Sequence, residues 1–365
     1  MKPEQLLLDP RDMNVIDDND RAMPRDRSLR RRSVLAMLLP VVSASQAWSN
    51  TSTPKRVGLL HAGGRHEETE QWETDFLDGM KARNWVLGRD LVLVHEYAGW
   101  QPERSEAALS ELIRQKVDVI ILYGDDEALA AAARATRTVP IVFREAFAPV
   151  EQGLVESYAR PGRNLTGTAV FTGPEFIVKR LEFLRSIAPS ATRLFWLFGS
   201  GSPVLKSLSG GGTFDVGNLI ERSAASLGMT TRVYRIREPS EVGAALAAAT
   251  AWSAHAVSGG GSPVFLEMQQ VVDFALKGGL PTAFSVREYV YAGGLLSYGV
   301  PPDEYVAMAD RFATQIDKVL RGAPPATIPV ELPRRFELCI NAKTARAIGL
   351  AIPWPILARA DEVVR

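Results

Sequence analysis

From Lys55 onward, short runs of β-branched and aromatic residues alternate with longer stretches whose apolar positions recur every three or four residues. Val57-Gly58-Leu59-Leu60 and Leu91-Val92-Leu93-Val94 read as the first two strands. Helices are predicted over 74–83 and 103–115, the second with Ala107, Ala108, Leu112 and Ile113 on one face. Val117-Asp118-Val119-Ile120-Ile121-Leu122 is nearly all apolar, the pattern of a strand buried on both faces. An alanine-rich helix over 127–137 and a strand over 140–143 complete one doubly wound unit. After Gly167 the cycle starts again. Helices are predicted over 176–187, 216–227, 241–252 and 264–277, and strands over 193–198, 231–236, 254–258 and 281–285. The glycine-rich run from Gly293 to Gly299, a long helix over 303–320, a proline-rich linker over 323–329, a late strand over 336–341 and a helix over 342–348 follow. Strands alternating with helices imply parallel sheets, so the fold class is α/β with two Rossmann-like lobes. A ligand then belongs between the carboxyl ends of their strands.

The segment before Lys55 does not fit that pattern. Arg30-Arg31-Arg32 precedes the apolar run Val34–Val42, and Ser43-Ala44-Ser45-Gln46-Ala47 supplies small residues for cleavage after Ala47. The run is too short for a bilayer, which takes roughly 20 apolar residues, and suits a signal peptide over 1–47. Arg31-Arg32-Ser33-Val34-Leu35 resembles the twin-arginine export motif. Residues 1–22 are polar and unpatterned, and a leader starting at Met23 has ordinary length. The expected location is therefore the periplasm. Lys+Arg and Asp+Glu both number 42, so no overall field draws nucleic acid or anionic lipid. The single cysteine, Cys339, excludes an intrachain disulfide and thiolate-rich metal sites.

Several ordered segments resemble the ABC-transporter substrate-binding proteins related to tryptophan/tyrosine-type uptake receptors. They are Gly153-Leu154-Val155-Glu156-Ser157 with the run Arg160-Pro161-Gly162-Arg163-Asn164-Leu165-Thr166-Gly167, and Lys179-Arg180-Leu181-Glu182-Phe183-Leu184. Arg287-Glu288-Tyr289, Leu296-Ser297-Tyr298-Gly299 and the tail from Phe336-Glu337-Leu338 to Ala360-Asp361-Glu362 complete the set. The resemblance implies a type I periplasmic-binding-protein fold joined by a three-crossing hinge. Crossings are expected near 164–168, near 292–298 and after Arg321. That places 55–166 with 299–322 in the first lobe and 167–298 with 325–365 in the second. It also implies a small-molecule solute, an ABC permease with its ATPase as partners, a monomeric receptor, and no cofactor. The loop Tyr123-Gly124-Asp125-Asp126-Glu127 and the insertion from Ser207 to Thr213 depart from the family's pattern.

Candidate ligand residues fall at the ends of the predicted strands. In the first lobe they are Gly63 and Gly64, Tyr123, Asp125 and Asp126, Arg144 and Phe147; in the second, Ser200, Ser202, Gly260, Ser262, Arg287 and Glu288. Asp125 and Asp126 open a helix, where a carboxylate caps free N–H groups; holding a ligand ammonium is the other reading. Arg144 has a bidentate fork for a ligand carboxylate, or a local pair with Glu145. Gly259-Gly260-Gly261-Ser262 lacks the spacing of either glycine-rich phosphate motif. Its choices are plain turn chemistry or backbone donors to an anion. His66-Glu67-Glu68-Thr69-Glu70 has Glu70 where a zinc-protease helix needs its second histidine, so no metal site is expected. No nucleophile elbow or nucleophile–base pair is legible. The expected function is solute capture for an ABC importer; an exported ligand-sensing module, or an exported enzyme on the same fold, is the alternative.

Overall fold

The computed structural model describes residues 53–61, 63, 67–99, 101–123, 126–170, 174–199, 204–206 and 213–365. The expected leader over 1–47 lies outside them. The chain begins β1 (Lys55–His61), α1 (Glu67–Lys81), β2 (Leu91–Tyr97), α2 (Pro102–Arg114), β3 (Val119–Tyr123), α3 (Asp126–Ala135), β4 (Ile141–Ala146) and β5 (Leu165–Ala169). These strands form one parallel sheet in the order β2-β1-β3-β4-β5.

The second lobe opens with α4 (Pro174–Ile187) and β6 (Arg193–Gly199), then a small antiparallel hairpin of β7 (Val204–Lys206) and β8 (Thr213–Asp215). It continues with α5 (Val216–Ala225), β9 (Thr230–Ile236), α6 (Val242–Ala251), β10 (Ala256–Gly260), α7 (Ser262–Leu266), α8 (Met268–Lys277), β11 (Thr282–Phe284), α9 (Glu288–Tyr291) and β12 (Leu296–Gly299). Helix α10 (Pro302–Leu320) returns to the first lobe. β13 (Glu337–Asn341), α11 (Ala342–Ala347), α12 (Trp354–Leu357) and β14 (Glu362–Val364) finish the second. The second sheet runs β14-β13-β12-β11-β10-β6-β9, parallel except where β12 meets β13.

Strand alternation builds the core. In β1, Val57 and Leu59 face α1 and α10, while Leu60 faces α2 and α3; in β3, Val119 and Ile121 take the first face and Ile120 and Leu122 the second. In β6, Leu194 and Trp196 face α4 and α5, and Phe195 and Leu197 face α6 and α8. Each sheet is thus covered on both sides, as parallel sheets require. Phe312, Ala313 and Ile316 seat α10 on the first sheet, and Gln315 Nε2 donates to Gly167 O and Pro329 O at 2.9 and 2.8 Å.

The crossings lie later in the chain than the sequence implies. β5 stays paired with β4 through Ala146↔Ala169, so the expected boundary at Gly167 falls inside a first-lobe strand. β12 pairs with β13 up to Gly299↔Glu337, which moves the second passage to Val300 and Pro301. The proline-rich stretch packs rather than links: Ile328 and Val330 are buried in first-lobe clusters, and Thr168 bridges Glu331. The third passage therefore follows Leu332. There, Glu304 accepts from the Arg334 N–H at 3.0 Å and pairs with Arg311 at 2.6 Å. Burial alone pushes Glu304 up, but these donors outweigh it and hold its pKa below the usual carboxylate range.

Candidate functional site

In both sheets the strand order reverses beside the first strand of the lobe: between β1 and β3, and between β6 and β10. Open α/β sheets bind ligands outside the carboxyl ends of the strands at such points. At the first lobe's carboxyl edge, register places Tyr97, His61, Tyr123 and Arg144 in one row across β2, β1, β3 and β4. In-register residues of parallel strands share a face, so the four side chains stand side by side. The His61 ring stacks on Tyr97 at 4.7 Å and on His95 at 5.8 Å. Trp72, from α1, stacks on Tyr123 at 5.5 Å and meets His61 edge-on at 6.2 Å. The Arg144 guanidinium closes the row, 4.9 Å above the Tyr123 ring and 5.9 Å from that of Trp72.

Two ionisable groups belong to this row. His61 is 3% exposed, and both its ring nitrogens lack a hydrogen-bond partner. Burial, helped by nearby His95, lowers its pKa to about 4, so the ring is neutral at pH 7. Arg144 Nε pairs with Glu145 Oε1 at 3.1 Å, the local reading of the sequence. The pair sits on an irregularity: register shifts between Phe143 and Ala146, and Glu145 has φ of 60°, a left-handed conformation few residues adopt. A bulge of this kind re-aims side chains at a strand end. The Glu145 N–H is held by Thr168 Oγ1 at 3.0 Å. Tyr305, near the start of α10, has its pKa raised by burial and by the charges of Glu145 and Glu288, with Arg144 opposing.

The other expected residues divide. Asp126 Oδ1 accepts from the Phe147 N–H at 2.9 Å, fixing the segment after β4. Phe147 and the fully buried Ala148 then pack on the second lobe's core cluster, so this segment joins the lobes. Gly63 O accepts from Gly99 N at 3.1 Å, tying together the ends of β1 and β2. Gly260 ends β10, and Ser262 begins α7, a helix of five residues. The glycines there serve close packing: a Cβ on Gly261 would lie 1.5 Å from Gly199 O. Arg287 is engaged within its own lobe, donating to Glu337 Oε1 at 2.6 Å and pairing with Glu362 at 3.2 Å. The hydrogen bond to Glu337 raises its pKa well above the ordinary value. Glu288 is the first residue of α9. Gly64, Asp125, Ser200 and Ser202 lie outside the described residues.

Sequence reading did not single out the lobe-to-lobe contact at the sheet edges. Arg235 Nη2, in β9, pairs with Glu127 Oε2, in α3, at 3.3 Å. An open cavity of about 390 Å³ adjoins it, lined by Gln101 and Glu103 from the first lobe and by Arg237, Glu238 and Glu241 from the second. Among the described residues no group of three or more His, Cys, Asp or Glu is placed to hold a metal ion.

The family model for ABC transporter substrate binding protein matches residues 66–364. The chain belongs to this family. The family is one of solute-binding proteins rather than enzymes. A tyrosine-binding protein of Clostridioides difficile is 22% identical over 302 residues, 83% of each chain. A conserved domain protein of Vibrio cholerae superposes with a TM-score of 0.70 at 22% identity, covering 85% of this chain and 99% of that one. An ABC domain from Streptococcus pneumonia, solved in complex with L-Trp, gives 0.68 at 19% identity, covering 86% of this family member and 100% of the domain. The fold is that of a type I periplasmic binding protein.

Proposed function

We propose that this family member is the exported solute receptor of an ABC importer, and that it closes two lobes on a small amino-acid-like solute. The observation that carries the reading is the in-register row of Tyr97, His61, Tyr123 and Arg144 at the carboxyl edge of the first sheet. A strand-end row of rings finished by a cation suits an organic solute with an apolar or aromatic body and a polar head. The relative named for tyrosine and the neighbour holding L-Trp point the same way. Closure needs no covalent step. A solute that touches both sheets stabilises the state in which both half-sites meet, and three passages between lobes supply the hinge. The permease and its ATPase then receive the closed monomer, and the basic-apolar-small leader over 1–47 serves export.

Native mass spectrometry of protein purified without added ligand tests the reading. A retained small molecule, released on unfolding and restored by adding the pure compound, is the expected result. At one hundred times its dissociation constant that compound stabilises the fold by about 2.7 kcal/mol. Failure to retain any solute, with no melting shift from any of the common amino acids, would contradict it.

A further inference from the structure

Helix α4 carries a buried cation that no described carboxylate neutralises. Arg180 is 4% exposed. Among the described residues no carboxylate lies within ion-pair distance of it, and its Nε makes no hydrogen bond. Its neighbours are rings: the guanidinium stands 5.0 Å from the centroid of Trp196 and 5.6 Å from that of Phe176. Rings stabilise a cation through their faces but accept little from its N–H edges. Burial lowers the pKa to about 10, so the side chain keeps its charge at neutral pH. A desolvated charge lacking an opposite charge is strongly unfavourable in a finished fold.

Its position indicates what completes it. α4 starts where the chain enters the second lobe and ends just before β6, so its first turn lies at the carboxyl edge of the second sheet. Long helical side chains lean towards the helix N-terminus, and the contact with Phe176, one turn earlier, shows that Arg180 does so. The guanidinium therefore sits beneath the cleft side of the lobe. Phe147 and Ala148, brought across from the end of β4, belong to the same second-lobe cluster as Ile177, Leu181 and Trp196.

We propose that Arg180 is the anion receptor of the second lobe and takes the carboxylate of the captured solute. The planar fork of a guanidinium matches a carboxylate with two parallel hydrogen bonds. The first lobe's ring row is then left to hold the organic body. The assignment rests on the solute-capture reading and gives it a polarity: the acid group docks on α4, in place of the backbone donors that are one of the two readings of the loop over 259–262.

Arg180→Met, close in length but uncharged, separates a ligand-binding charge from a structural one. Without ligand, this variant should melt at or above the temperature of the native chain, because an uncompensated buried charge is gone. Titrations with L-tyrosine and L-tryptophan, against tyramine and tryptamine that lack the carboxylate, give the second arm. The native chain should bind at least one amino acid, and its amine about 30-fold more weakly or worse; the variant should lose a similar factor for the amino acid. Arg180→Lys should recover part of it, since a point charge replaces the fork. Amino-acid binding unchanged in the variant, or an amine bound as tightly as its amino acid, would overturn the assignment. A fall of several degrees in the unliganded melting temperature of Arg180→Met would also overturn it, by making Arg180 structural. If the native chain binds neither amino acid, the amino-acid reading fails by itself, and the unliganded melting comparison still decides Arg180.

Discussion

Acidification from pH 6.5 to pH 4 is expected to remove about 3 kcal/mol of folding stability through His61 alone. Its pKa falls from 6.5 in the unfolded chain to about 4 in the fold, because the ring is buried and faces His95. In that interval the unfolded chain binds a proton that the folded chain refuses, so stability rises with pH. The contribution is whole above pH 6.5, shrinks as pH falls, and is gone below about pH 4. His61→Phe keeps a ring of similar shape against Tyr97 and Trp72, and should flatten this part of the curve. Urea denaturation at pH 7.5, 5.5 and 4.5 measures it. If the variant and the native chain keep the same stability difference at all three pH values, His61 is not the titrating group.

Gly261→Ala should cost about 3 kcal/mol or more, a fall in melting temperature of roughly 6–12 °C. Two effects coincide at this residue. Its φ of 101° is disfavoured for any residue with a Cβ, and that Cβ would lie 1.5 Å from Gly199 O, forcing β6 and β10 apart where they end. Gly228 is the control. It has φ of 71°, but a methyl group added there would meet nothing within 4 Å, so Gly228→Ala carries only the backbone penalty of about 1 kcal/mol. Equal melting temperatures for the two variants would show that no close approach exists at Gly261.

The elements legible in the sequence were those whose side chains serve the core. Val119–Leu122 alternates between the two faces of its sheet, and burial on both faces leaves an apolar run that nothing else resembles. The same signal fails at strand ends. β1 runs on to His61, β2 to Tyr97, β4 to Ala146 and β10 to Gly260, each past the last apolar residue used to predict it. His61, Tyr97 and Gly260 interrupt the apolar run while the backbone stays extended, so hydrophobicity stops before the strand does. Tyr123 and Arg144 were legible as candidates because they follow such runs immediately. His61 and Trp72 were missed because stacking across β1, β2, β3 and α1 is a property of register, which no local pattern carries. Arg180 did leave a trace: it falls on the stripe of Ile177, Leu181 and Leu184, where a helix with one buried face should be apolar. A charge on that stripe is explicable only once its surroundings are known.

Small-angle scattering with and without saturating solute tests the central claim most directly. Two lobes that close on a solute between their carboxyl edges must become more compact, so the radius of gyration should fall on addition of the solute retained by the native protein. Arg180→Met, given the same concentration, should stay at the unliganded value. A solute that binds tightly and leaves the scattering curve of the native chain unchanged would contradict capture by closure.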